Sequence, residues 1–187
     1  DLLTQCPTNL GTGMRASVML HLPALEKSRT IGRIAGNLSK LGLTIRGAYG
    51  EGSEPSGSLY QLSNQVTLGI SEKAAIENLE NITKQLVSQE QQARERLAKS
   101  IDIQDSVSRS LGLLKSAMVM THDEALKLLS NVRFGILSGQ IKDVTAEVVD
   151  SLMEKIEPAT LMVNSGKNLS AQERDIERAK ILREALS

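Results

Sequence analysis

The pattern of apolar and polar positions divides the 187-residue chain into two halves. Ala16, Val18, Leu20 and Leu22 alternate with Arg15, Ser17, Met19 and His21, which predicts a strand with one buried side. Ahead of it, Cys6 to Gly13 reads as a turn-rich loop, because Pro7 lacks a donor and Gly11 and Gly13 open conformations closed to other residues. Pro23 ends the strand, and Ser28 can cap a helix carrying Ile31, Ile34, Ala35 and Leu38 on one face, stopped at Gly42. Leu43 to Tyr49 alternates again, Gly50 to Ser58 is a loop, and Leu59 to Leu68 reads as a returning strand.

From Ser71 the period becomes helical. Ile76, Leu79, Ile82, Leu86, Ala93 and Leu97 form one long stripe, and Ile103, Val107, Leu111, Leu114 and Met118 mark a further helix. Thr121 to Glu124 has the capping-box form ahead of Leu126, Leu129 and Val132. Val144 to Ile156 reads as another helix, ended near Pro158, and Ser170 to Glu173 is a second capping box opening the last helix. The expected fold class is α+β: a partial antiparallel sheet with helices over residues 1–99, followed by an all-α helical domain over 100–187.

Composition narrows the functional classes. Net charge is zero, so no global field draws in nucleic acid or a membrane, and with aromatics at 2% and no Trp there is no base-stacking platform. One Cys cannot form an internal disulfide, which fits a reducing cytoplasm. No apolar run approaches the roughly 20 residues of a membrane-spanning helix. His21 and His122 are far apart in sequence and suggest no metal site; both read as ordinary strand or surface histidines.

Three stretches carry chemistry. Cys6-Pro7-Thr8-Asn9-Leu10-Gly11-Thr12-Gly13-Met14-Arg15 sets a thiol and a guanidinium around a strand entrance. Gly47-Ala48-Tyr49-Gly50-Glu51-Gly52-Ser53-Glu54 is a glycine-serine loop holding two carboxylates, followed by Gln61-Leu62-Ser63-Asn64-Gln65. Arg174-Asp175-Ile176-Glu177-Arg178-Ala179 puts two arginines four apart, hence on one helical face, with a carboxylate beside them near a capped N-terminus. From spacing alone, Arg15 also reads as an exposed hairpin arginine, Cys6 as a small buried hydrophobe, Glu54 as solvated loop charge and the last stretch as an ordinary exposed helix.

This wording resembles the ATP:guanido phosphotransferases, the phosphagen kinase family, over nearly the whole chain, and most of all the bacterial branch that phosphorylates arginine side chains in proteins. The resemblance implies the C-terminal part of that family's catalytic domain, followed by a helical phosphoarginine-binding and dimerisation domain. It implies ATP as phosphoryl donor, with Mg2+ carried mainly on the ATP phosphates. It assigns Arg15 to those phosphates, a job that suits a bidentate fork that stays charged. Cys6 would orient the substrate guanidinium, and Glu54, with Glu51 as nearest competitor, would clamp it from a mobile loop. Arg174 and Arg178 would grip the phosphoryl group of phosphoarginine, and Asp175 its guanidinium.

Two positions depart from the small-molecule members: Tyr49 stands where they have arginine, and Met19 where they have histidine. Both changes favour the protein-kinase branch. The partners implied are proteins with exposed arginine, a Clp protease system that degrades the marked proteins, and a second copy of the chain. The chain opens at Asp1 without Met, and the resemblance sets further catalytic groups upstream, so the chain alone is expected to be inactive. The alternatives are a non-catalytic phosphoarginine-binding dimerisation module and a small-molecule arginine kinase.

Overall fold

The computed structural model describes residues 2–10, 13–49, 55–65 and 71–187, with residues up to 15, Gln65 and Glu72 described by their backbone alone. Two compact units result, Asp1–Arg96 and Leu97–Ser187.

The first unit is built on four antiparallel strands, β1 (Leu2–Leu10), β2 (Gly13–His21), β3 (Leu43–Gly47) and β4 (Leu59–Gln65), in the order β1-β2-β4-β3. The expected loop at Cys6 is largely strand: Cys6 pairs with Ser17, and Pro7 with Ala16. Proline is tolerated there because, among the described residues, β1 is an edge strand of the sheet, where a missing N–H breaks no ladder on the outer side. β3 is shorter than its sequence pattern, because Tyr49 adopts φ 63°, a left-handed conformation that no strand accommodates.

Pro23 does more than stop β2. It is the first residue of a short helix, α1 (Pro23–Lys27), where its lost N–H would have had no partner in any case. Ser28 therefore closes α1 rather than opening the next helix, and α2 (Ile31–Ser39) starts after Thr30. A positive φ of 74° at Gly42 then turns the chain into β3. Helix α3 (Glu72–Leu97) is 26 residues long, or about 39 Å. Its buried side consists of Ala75, Leu79, Thr83, Leu86, Glu90, Ala93 and Arg94. Asn64 of β4 donates through Nδ2 to the Ala75 carbonyl at 2.6 Å, docking α3 on the same sheet face as Ala16, Val18 and Leu20.

The second unit contains α4 (Ile101–Ser116), α5 (His122–Leu137), α6 (Ala146–Lys155), α7 (Pro158–Ser165) and α8 (Ala171–Leu186). Thr121 caps α5 by accepting from the Glu124 N–H, and Ser170 with Glu173 forms the complete reciprocal box on α8. Pro158, like Pro23, opens a helix instead of merely ending one. Val107, Leu114, Leu126, Leu129, Val132, Phe134, Val149, Leu152, Ala179 and Leu182 form the core. Arg133 Nε bonds Asp150 Oδ1 at 2.8 Å, linking α5 to α6.

At Gly135, helix α5 leaves no room for a side chain. A Cβ there would collide with Val107 Cγ1 and press on Ile141 Cδ1. Gly135→Ala gains about 1 kcal/mol of helix propensity but forces repacking that typically costs about 1–3 kcal/mol. The expected net result is a lower Tm, read by circular dichroism; an unchanged or higher Tm would mean the core can shift without cost.

Candidate functional site

Strand register determines which residues fall in the same cross-strand rows, read from the backbone. Cys6, Ser17, Ser63 and Thr44 form one cross-strand row. Thr8, Arg15 and Gln65 form the row on one side of it, and Met19, Gln61 and Arg46 the row on the other. Cys6 and Arg15 are thus diagonal neighbours on adjacent strands, about 7–8 Å apart at the backbone. Where side chains are described, Thr44, Gln61 and Arg46 are exposed, Met19 and Ser63 half-buried, and Ser17 buried. Thr44 Oγ1 and Ser63 Oγ lie 3.1 Å apart, within hydrogen-bonding distance. The far end of β2 is closed by His21, which is completely buried.

Arg46 is a residue that sequence reasoning missed. It lies on β3 on the same face as Ser17 and Ser63, exposed and without an ion pair to any described residue. Its signal was available: within the alternation Leu43, Ile45, Gly47 it falls on the side opposite the apolar residues. Glu54 and Glu51 lie outside the described residues. The ends of their loop are brought together by the Ser56 N–H donating to Ala48 O at 3.0 Å and the Ala48 N–H donating to Leu59 O at 2.8 Å.

Behind the sheet sits a second residue the sequence reading passed over. Glu90 of α3 has no exposed surface, and its carboxylate accepts the Ala24 and Leu25 N–H groups at 2.9 Å each. Burial pushes its carboxyl up to about 7, although those two N–H groups and nearby Arg94 pull the other way. Glu90 interrupts the apolar stripe between Leu86 and Ala93, and that interruption was legible.

In the helical unit, the expectation of two arginines side by side on an accessible face meets a divided arrangement. Arg174 is half-buried and donates through Nη1 to Leu169 O at 2.9 Å. Arg178 is only 1% exposed. Its Nε donates to Ile156 O at 2.8 Å, and its Nη1 to Met120 O at 2.9 Å and Asp175 Oδ1 at 2.7 Å. Asp175, whose side chain is 30% exposed, also accepts the Met120 N–H on its main-chain oxygen at 3.0 Å. His122, two residues beyond Met120, is held below its ordinary range by burial and by Arg178. Among the described residues no group of three or more His, Cys, Asp or Glu could hold a metal ion, and no helix is long and apolar enough to cross a membrane.

Comparison with known proteins identifies both halves. Residues 2–93 match the model of the ATP:guanido phosphotransferase C-terminal catalytic domain, and residues 100–187 that of the protein-arginine kinase McsB C-terminal domain. A protein-arginine kinase of Halothermothrix orenii is 51% identical over 187 residues, covering 99% of this chain and 54% of the relative. Protein-arginine kinases of Clostridium acetobutylicum and of a Geobacillus species are 47% and 48% identical over 186 residues each, covering 98% of this chain and 55% and 51% of the relatives. The chain therefore spans about half the length of the curated relatives it matches. With a guanido phosphotransferase catalytic segment leading directly into the helical domain typical of protein-arginine kinases, this chain belongs to the ATP:guanido phosphotransferase family.

Proposed function

We propose that this chain is the C-terminal part of an ATP-dependent protein-arginine kinase. One observation carries the reading: the strand register sets Cys6 and Arg15 in neighbouring cross-strand rows on the strands that also bring in Ser17, Ser63 and exposed Arg46. In the reaction, a guanidino nitrogen of a protein arginine forms a bond to the γ-phosphorus as the bond to the ADP oxygen breaks. ADP leaves, and the nitrogen gives up a proton. Such transfers depend on positioning and charge neutralisation more than on covalent catalysis. Arg15 is assigned to the ATP phosphates, and Arg46, on the same face, supplies a cation that Tyr49 cannot. Cys6 and Glu54, with Glu51 its nearest alternative, are assigned to the acceptor guanidinium. Mg2+ would arrive on the nucleotide's phosphates and neutralise part of their charge.

In the helical unit, Arg174 and Asp175 offer an outward cation and carboxylate for the phosphoryl and guanidinium ends of phosphoarginine, with Arg178 behind Asp175. Recognition of the product mark, pairing with a second copy through this unit, a cytoplasmic setting and delivery of marked proteins to a Clp protease complete the reading. The names of the relatives favour protein arginine over free arginine as acceptor.

The test gives the whole kinase ATP with either a protein substrate or free arginine and detects phosphoarginine by mass spectrometry. Protein-bound phosphoarginine is expected, and a preference for free arginine would overturn the assignment. The 187-residue chain alone is expected to be inactive; robust phosphorylation by it would show that these residues hold a complete site.

A further inference from the structure

One carboxamide on β4 joins the peptide group of Arg15 to the first turn of α3. Asn64 is 7% exposed and pairs with Ala16 in the β2–β4 ladder. Its Nδ2 donates to Ala75 O at 2.6 Å, and its Oδ1 accepts the Ala16 N–H at 3.4 Å. That N–H belongs to the same planar peptide unit as the Arg15 carbonyl. Holding it restricts the ψ angle of Arg15, and so fixes the backbone that carries the guanidinium. The two bonds make opposite demands, a donor toward Ala75 and an acceptor toward Ala16, and a carboxamide meets both without a charge. The anchor is itself held: Ser71 Oγ accepts the Ala74 N–H and Ser71 O the Ala75 N–H, at 3.1 Å each.

We infer that Asn64 is a positioning residue for phosphoryl transfer: through the Ala16 N–H it holds the backbone at Arg15, with α3 as its anchor. The inference rests on the phosphate reading of Arg15 given above. A guanidinium that grips phosphate in a two-pronged contact needs its backbone closely fixed, because a displacement of about 1 Å in a positioned group can cost about 100-fold in rate. Asn64 is buried on the α3 side of the sheet, so its contribution passes through Arg15 and disappears when Arg15 is gone. An asparagine that only docked α3 would instead cost the same factor whatever stood at position 15. Tyr60 provides that comparison. It lies on the same strand and its hydroxyl donates to Glu26 Oε2 at 2.9 Å, but it pairs with Leu20, at the far end of β2 from Arg15.

The experiment is a double-mutant cycle in the whole kinase, read as kcat/KM for ATP with a protein substrate, with circular dichroism of each variant. Asn64→Ala is expected to lower kcat/KM by about 10- to 100-fold. In the Arg15→Ala background the same substitution should cost less than about twofold. Asn64→Ser, which stays polar but is too short to reach both partners, covers the case in which the alanine variant fails to fold, and should show the same non-additivity. Tyr60→Phe should lower Tm and change kcat/KM by one common factor in both backgrounds. Full activity in Arg15→Ala would remove the phosphate reading of Arg15, and the inference with it. Equal losses from the Asn64 substitutions in both backgrounds, or undiminished activity in a folded Asn64→Ala, would overturn the positioning role and leave the Arg15 reading standing. Non-additivity as strong for Tyr60→Phe would also overturn it, by showing that any loosening of the sheet acts through Arg15.

Discussion

Between pH 4.5 and 8 the sheet-containing unit is expected to lose about 3 kcal/mol of stability through Glu90 alone, and Glu90→Gln is expected to abolish that loss. The folded carboxyl lies at about 7, against an ordinary value of 4.5. Across that window the folded state holds a proton that the unfolded state has released, so raising the pH favours unfolding. The contribution is fully present below about 4.5 and gone once pH passes through 7. The cause is geometric: Glu90 is sealed between α3 and the start of α1, and its burial outweighs the two N–H groups and Arg94 that favour its charge. Glutamine fills the same space without titrating, although its amide must face one N–H, a cost that does not vary with pH. The comparison is therefore between slopes: urea unfolding of the two proteins at several pH values, with amide exchange in residues 59–64 reporting on this unit. Parallel stability curves for the two would show that the buried carboxyl does not titrate in this range.

Arg15→Ala, made in the whole kinase, is expected to lower ATP-dependent phosphorylation of a protein arginine by about 10²–10³ while leaving the fold intact. That is the usual consequence of removing one preorganised donor from a developing phosphoryl charge. Arg15→Lys should recover only part of the rate, because an ammonium is a point charge and lacks the two-pronged geometry of guanidinium. In the backbone register Arg15 is paired with Thr8 on β1 and Gln65 on β4. Circular dichroism of the variant is expected to be unchanged, which separates loss of activity from loss of fold. Full activity in Arg15→Ala would remove the phosphate role from this position and shift attention to Arg46.

Apolar periodicity alone determined much of this chain. The long stripe of α3, the Ser170–Glu173 box on α8, the alternation of β2 and the switch from mixed to all-helical structure are local properties, and local spacing encodes them. The guanido phosphotransfer reading came from the resemblance of the Cys6–Arg15 and glycine-serine stretches to a known family; spacing alone left Arg15 an ordinary hairpin arginine. Tertiary structure decided what depends on distant neighbours. Pro7 lies in a strand because β1 is at the sheet edge among the described residues, and Pro23 and Pro158 start helices because the following residues find packing. Spacing places Arg174 and Arg178 on one face of α8 but cannot say that the face is partly inward. Only the arrival of Met120 and Ile156, 58 and 22 residues away in sequence, buries Arg178 and leaves Arg174 nearer the surface. A guanidinium's role is set by which acceptors surround it, and those come from other elements of the fold.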